Sequence, residues 1–441
     1  MNLAVMKTKA EQGLLEAFQS VADTLPGGAD VQRARREAAD RFDNLGLPHR
    51  RIEEWKYTDL RQVLKEALPP SIGDSTELTI ADVIVALGSL ASLDAHKIVF
   101  VNGAYRPKLS TPMDLEGLEF SPLSSALVNG ESKTGLTRTS GPKDDATLAL
   151  NTAFMSDGAV VRIHDGAELA KPVLIVHVRA GKEAFSATVR HVIDVGAGAK
   201  VTIVEAFVSL PGVTDEGQIN TASEIVVGDK AYVTHVKCAV DKGAVTHLSN
   251  WMVRVGKEAE YRGFQQTQGI ALARNQIFAT FDGEDAKLNL SGAFLGRGGD
   301  HIDTTLVVDH VVPGCESREL FKGILDGHAR GIFQGKIVVQ QAAQKTDGKQ
   351  MAQAMMLSPD AEFDSKPELE IFADDVACGH GSTVAEIDEE MLFYCRSRGI
   401  PEEKARVLLT ESFIAEAIET VEDEPVAEAL KMFARGWLQA D

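Results

Sequence analysis

Cysteine is scarce: four in 441 residues, at 238, 315, 378 and 395, and no two form a Cys-x-x-Cys pair. A disulfide framework would be denser and a structural zinc site would cluster its ligands, so this spacing excludes both and implies a reducing cytosol. No apolar run approaches the ~18–20 residues of a membrane-spanning helix. The first residues carry neither the apolar stretch nor the small-residue cleavage site of a secretory signal, so a cytoplasmic protein with no membrane contact is expected. Positive charge is in deficit. Against 65 Asp and Glu stand 45 Lys and Arg, a formal net charge of −20, which excludes nucleic acid or another polyanion as the main partner. There is no GxxxxGK[ST], no GxGxxG leading into a helix, no G-x-S-x-G and no His-Glu-x-x-His. These absences favour a non-catalytic protein. What is present is ordinary for a soluble globular chain: 44% apolar and 25% charged residues, over a length that suits more than one domain.

Four textures follow one another. Residues 1–67 look helical. Leu14, Phe18, Val21 and Leu25 make an amphipathic stripe ended by Pro26-Gly27-Gly28, and a second helix is predicted over Val31 to Leu45. Residues 68–147 mix loops and short strands; Lys97 to Gly103 is the clearest strand, and the polar stretch 131–145 reads as a loop. From 148 to 385, β-like runs recur every ~10–15 residues, among them Ala159–Ile163, Val173–Val178, Ala231–Val240, Val245–Val255 and Ile302–Val308. Asp-Gly pairs at 157, 165 and 282 suit hairpins, yet no linker divides the region. Two sandwiches and one stacked solenoid are therefore both allowed. From 386 to 441 the helix period returns: Asp388 caps a helix to Ser397, Gly399 ends it, Pro401 opens the next, and a last one starts near Pro425. This terminal unit holds 14 acidic and 6 basic residues, which suits a solvated face before it suits a docking surface for a basic partner.

Three constellations could carry chemistry. In Asp374-Asp375-Val376-Ala377-Cys378-Gly379-His380-Gly381, an extended backbone sets Cys378 and His380 on one face, where thiol and imidazole could act in sulfur transfer or ligate iron or zinc. The plainer reading is a structural Cys beside a hydrogen-bonding His. His301 and Asp303 share a strand face, with Asp309-His310 following; no third ligand is placed, and a solvated strand face explains them. Ser317 to Gly323 and His328 to Lys336 are basic islands in an acidic chain, without a phosphate loop.

Six longer segments carry more information together than any of these alone. They are Glu53-Glu54-Trp55-Lys56-Tyr57-Thr58-Asp59-Leu60, Leu150 to Gly158, Ser317-Arg318-Glu319-Leu320-Phe321-Lys322-Gly323, Gly331 to Lys336, Lys366 to Val376 and Leu392 to Ile400. In these blocks the chain resembles the SufB/SufD family of iron–sulfur cluster assembly proteins, and within it the SufD type. The resemblance implies a mainly β protein: a right-handed parallel β-helix core flanked by N-terminal and C-terminal helical domains. It implies a non-catalytic subunit of a SufB–SufC–SufD complex, pairing with SufB through the β-helix and docking the SufC ATPase on its C-terminal helices, with Leu392, Phe393 and Arg398 in the docking segment. A homodimer in the absence of SufB is a further expectation. ATP enters only through SufC, and the chain alone holds no stable cofactor. An iron–sulfur cluster passes transiently through the SufB interface, where the resemblance assigns a role to His380 and, beside it, Cys378; both are candidate metal ligands. Cys395 departs from the SufD pattern and is expected to pack. The alternative is a β-helix carbohydrate-active enzyme, a lyase or hydrolase using Asp303 or Asp309 with His301. The missing secretory signal and the strong negative charge oppose it.

Overall fold

The computed structural model describes residues 7–130, 141–142, 144–213 and 216–440. The loop expected over 131–145 therefore falls mostly outside the described residues. The chain opens with helices α1 (Lys9–Val21), α2 (Ala29–Leu45) and the single turn α3 (Leu60–Val63). Thr8 and Glu11 cap α1 reciprocally, and the helix stops at Val21, four residues before Leu25, whose side chain still reaches the same core. Next come α4 (Ile80–Leu87), β1 (His96–Val101), β2 (Ala104–Tyr105), β3 (Leu118–Pro122), α5 (Leu123–Val128) and α6 (Ala146–Phe154).

A long run of strands follows: β4 (Ala159–Ile163), β5 (Val173–Arg179), β6 (Ser186–Val195), β7 (Lys200–Ser209), β8 (Glu216–Val227), β9 (Tyr232–Val240), β10 (Ala244–Val255) and β11 (Glu260–Gln268). It continues with β12 (Leu272–Phe281), β13 (Lys287–Gly296), β14 (His301–His310), β15 (Glu316–Leu325), β16 (Arg330–Val339), β17 (Asp347–Met356), β18 (Glu362–Ile371) and β19 (Ala377–Ala385). Odd and even strands go to different sheets. One sheet is ordered β19-β17-β15-β13-β11-β9-β7-β5-β1-β2, the other β18-β16-β14-β12-β10-β8-β6-β4-β3, and from β4 onward every pairing along the stack is parallel. Leu272, His301 and Arg330 are cross-strand neighbours, so one coil of the stack takes 29 residues at this point. The core is thus a two-sheet parallel β-solenoid with helices at both ends of the chain, and the sandwich alternative is set aside.

The Asp-Gly pairs do not make hairpins. They sit at or beside the corners of coils that join one sheet to the other, where successive coils approach closely. A Cβ on Gly158 would lie 1.8 Å from the Arg190 carbonyl oxygen, so no other residue fits there.

Up to the last coil both sheets are largely buried on both faces, which is why many strands read as continuous apolar runs. The outer face of the odd sheet is covered by α4 and by the C-terminal helices α7 (Glu389–Ser397), α8 (Glu402–Ile418) and α9 (Glu424–Gln439); Val204, Val236, Cys238 and Phe264 pack with Ile414, Ile418 and Leu430. The outer face of the even sheet meets α1, α2 and α6, where Leu248 and Leu272 join Phe18, Phe42 and Leu150. The two faces of β9 divide accordingly. Its apolar face points out under the helices, and His235 and Lys237 point into the lumen between the sheets. There the His235 Nε2 lies 2.8 Å from Glu205 Oε1, its Nδ1 2.8 Å from the Tyr261 hydroxyl, and Trp251 stacks on its ring. Burial alone would raise the Glu205 carboxyl, but the hydrogen bond from His235 and its charge outweigh burial and hold it at about 2. The rest of the lumen is largely apolar, one cluster running from Ile98, Phe100 and Val161 through Leu288, Leu290, Phe294, Phe321 and Phe333.

Candidate functional site

The two ends of the solenoid differ. At the N-terminal end β2 and β3 close the sheets antiparallel. At the other end, among the described residues, nothing pairs with the outer edges of β18 and β19. The chain leaves β19 for α7 to α9, which run back along the odd sheet and leave the last coil open. Ile371, Phe372 and Val384 are consequently exposed there. An uncovered end of this kind is what a stacked fold normally caps, because free strand edges invite pairing with another chain.

His380 and Cys378 lie on this last strand. The register pairs Cys378 with Gly348 and His380 with Gln350 on β17, and Gln350 in turn with Glu319 on β15. Cys378 faces the lumen, packing against Ile337, Val339 and Ala373, and alternation turns His380 to the same side. Because the next coil is missing, His380 is exposed while Gln350 and Glu319 beneath it are buried. The Ala377 amide donates to Thr346 on the solenoid side. In a parallel ladder alternate residues bond to opposite neighbours, so the amides and carbonyls of Cys378, His380, Ser382 and Val384 face the free edge. A strand added there would run directly beside both residues.

The chemistry of the two groups is unequal. Burial pushes the Cys378 thiol up from its ordinary value, and the nearby carboxylates of Asp347 and Glu319 add to this against a backbone hydrogen bond. In the chain alone it is a thiol and not a thiolate nucleophile. Among the described residues no three His, Cys, Asp or Glu side chains converge as a metal site. At the open end the described residues thus bring together Cys378 and His380, with no third such group beside them.

Beneath them lies a feature the sequence did not announce. Glu319 is 2% exposed and neither carboxylate oxygen has a hydrogen-bond partner. Gln350 donates to the Gly335 carbonyl at 3.1 Å across the lumen, while its Oε1 is unpartnered. A Cβ on Gly335 would come within 2.1 Å of that oxygen, so the crossing depends on glycine. The signal was available as a spacing: Glu319, Gln350 and His380 are 31 and 30 residues apart, one coil each.

Other expectations fare differently. His301 and Asp303 do not lie on a solvated face. Asp303 is fully buried, paired with Arg274 and accepting from the Thr58 hydroxyl, and the Thr58 oxygen is 2.9 Å from His301 Nε2. The N-terminal segment around Trp55 covers them, so no open groove exists for an acid–base pair. Asp309 accepts from Gln340 at 3.0 Å. In the docking segment Leu392 is a correction: it is 1% exposed and packs with Met355, Ile387 and Ala405, because the stripe that seats α7 on the solenoid runs through it. Phe393 is 71% exposed, and Arg398 is exposed over the Tyr394 ring at 5.1 Å. Cys395 packs partly buried against the same cluster as Leu392. A hollow of about 570 Å³ lies between the end of β19 and α8, but its two arginines are engaged, Arg297 with Asp326 at 3.3 Å and Arg406 with Glu402 at 3.3 Å. No helix among the described residues is long and apolar enough to cross a membrane.

Comparison with known proteins covers nearly the whole chain. A family model described as the SufBD core domain of the SUF system for FeS cluster assembly matches residues 177–413, and one described as the SufBD protein N-terminal region matches residues 8–175. A SufBD family protein of iron–sulfur cluster assembly from Synechocystis is 32% identical over 401 residues, 88% of this chain and 86% of that one. The iron–sulfur cluster assembly protein SufD of Escherichia coli is 32% identical over 383 residues, 86% of each chain. SufD of Bacillus subtilis is 26% identical over 433 residues, 94% of this chain and 95% of the relative.

Proposed function

The chain belongs to the SufBD family and has a role in iron–sulfur cluster assembly, and from that premise we propose that it is a SufD-type, non-catalytic subunit that completes its open solenoid end with a SufB-type partner. The observation that carries this reading is the uncapped last coil: β18 and β19 present free edges, and His380 stands on one of them. In this reading the cluster is cargo. It is built across the junction, with the His380 imidazole supplied from this side and the remaining ligands from the partner, because the chain alone brings too few together. Cys378, held as a thiol, packs the floor of the site and reaches the cluster chemistry only if pairing lowers its pKa. ATP hydrolysis falls to a SufC-type subunit, in keeping with the missing phosphate loop. The exposed Phe393 and Arg398 on the C-terminal helices are the docking surface offered to it, and Leu392 supports that surface from below. Thiolate and iron chemistry of this kind belongs in a reducing cytoplasm.

The test is co-expression with SufB and SufC partners. His380→Ala should leave the complex assembled and remove most of the cluster absorbance per complex. Undiminished cluster in an intact complex removes His380 from the assembly site, and failure of the parent chain to co-purify with SufB removes the pairing itself.

A further inference from the structure

The carboxylates of Glu205 and Glu319 both lie in the lumen, in opposite surroundings. Glu205 is held by His235 at 2.8 Å and accepts from the Ser223 hydroxyl at 2.7 Å. Glu319 is as deeply buried, and no protein group donates to either of its oxygens. Its ladder neighbour on β17 is Gln350, 3% exposed, which leans across to the even sheet. There Gln350 Nε2 donates to the Gly335 carbonyl at 3.1 Å and to the Glu368 carbonyl at 3.5 Å. With both protons committed, Gln350 has only its Oε1 left to offer, and that oxygen is itself unpartnered. The Ser365 hydroxyl on β18, turned by alternation into the same lumen, is buried and unpartnered as well.

The neighbouring cations do not answer this need. Arg318, next in sequence to Glu319, faces away and pairs with Asp347 at 2.6 Å. Lys322 pairs with Glu416 under α8, and Lys336 pairs with Glu370 at 2.6 Å on the outer face of the even sheet. Burying a carboxylate with neither donor nor counter-charge is costly, and a native fold that keeps one calls for a partner from outside the chain. A carboxylate and an amide oxygen are hard donors, and the His380 imidazole stands one coil further out. Metals that accept oxygen and imidazole nitrogen together are borderline divalent ions, ferrous iron among them.

We propose that Glu319 and Gln350 form a divalent-cation site in the lumen beneath His380, and that ferrous iron is the ion it takes. Iron is then the component this chain brings to the assembly site. The choice of iron rests on the reading that His380 stands where clusters are built. An ion held there gives Glu319 its counter-charge and Gln350 Oε1 its partner at once. Gly335 keeps the amide in place, since a Cβ at that position would meet the same oxygen at 2.1 Å.

The test uses the full chain without SufB, so that it stands apart from co-purification. Anaerobic titration with Fe2+, and with Mn2+ as a paramagnetic probe, compares the parent with Glu319→Gln, Gln350→Met and His380→Ala, each checked for folding by thermal melts. The parent should take up one Fe2+ per chain more tightly than its surface carboxylates do. Glu319→Gln keeps the shape and loses the charge; it should weaken that site at least about tenfold, and Gln350→Met by less. Bound Mn2+ should broaden the His380 ring resonance of the parent, identified by its loss in His380→Ala, and leave it sharp in Glu319→Gln. Absence of a tight site in the parent overturns the proposal. So does a site of equal strength in parent and Glu319→Gln, which marks metal on the surface only. A tight, Glu319-dependent site in a chain that fails to co-purify with SufB supports the cation site and removes the assembly reading instead.

Discussion

Replacing Asp303 by alanine should lower the free energy of unfolding by about 3–5 kcal/mol, the range for removing one partner of a buried ion pair. The size follows from what is left behind. Arg274 is 1% exposed, stacks on the Trp55 ring at 4.3 Å and donates to the Glu54 carbonyl at 2.7 Å and to Gln276 at 3.2 Å. With Asp303 gone its charge stays buried without a counter-ion, and the Thr58 hydroxyl loses its acceptor. Since Arg274, Gln334 and Lys366 all hold the segment Glu53 to Thr58 against the even sheet, the loss should be felt locally first. Equilibrium urea unfolding checks the magnitude, and limited proteolysis should show earlier cleavage near residues 50–60. The double variant Asp303→Leu with Arg274→Leu should recover much of the loss, because it removes the stranded charge as well as the pair. A single-variant cost below about 1 kcal/mol would mean that water reaches Arg274 and the clamp is not sealed.

That clamp also shows where reading the sequence stopped short. The run Glu53 to Leu60 stood out as one of the six blocks that carry the resemblance, and His301 with Asp303 by their shared face, but nothing local joins positions some 245 residues apart. Strand positions were legible because apolar runs and turns repeat, and helix ends because caps are local: Asp388 accepts from the Glu390 and Met391 amides, and Pro401 stands at the start of α8. Inside and outside were not. Alternation in β9 separates Val236 and Cys238 from His235 and Lys237, yet in a two-layered stack with helices outside, the apolar set can face either way. Here the helices take it and the lumen takes the polar set. The Asp-Gly corners misled for a related reason. A tight turn reverses a hairpin and rounds a solenoid corner with the same residues, and only the partner of the following strand tells them apart.

The site was half legible. Cys378 and His380 were found from a two-residue spacing, and their place on a free edge needed the topology. Leu392 and Phe393 are adjacent on one helix and look equally apolar in the sequence, yet one seats α7 and the other is bare; the periodicity of a nine-residue helix is too short to assign them. Glu319 was seen only as part of a basic motif. Its isolation appears when Gln350 and His380 are stacked above it, one coil length at a time.

Glu319→Gln should stabilise the protein, and the gain should grow with pH. Burial pushes the Glu319 carboxyl up to about 8, with weaker opposition from Ser317 and Arg318, whereas in the unfolded chain it titrates near ~4.3. Between these values the folded state keeps a proton that the unfolded state releases. The unfolded chain therefore binds fewer protons, and stability falls as pH rises through that window. The folded form is at full strength below the unfolded pKa, and the penalty is complete only above about 8. Glutamine keeps the shape and cannot ionise. Thermal melts of parent and variant should nearly coincide at about pH 4 and separate by a few kcal/mol, on the order of 1.4 kcal/mol per pH unit across the window, by about pH 8. A constant difference across that range would show that Glu319 ionises at an ordinary pKa. The sign matters for the open end, because a neutral carboxyl brings a donor to a lumen where the facing Gln350 Oε1 has none, and a charged one brings no donor and disfavours ionisation of the Cys378 thiol. The last coils hold together best with that proton in place.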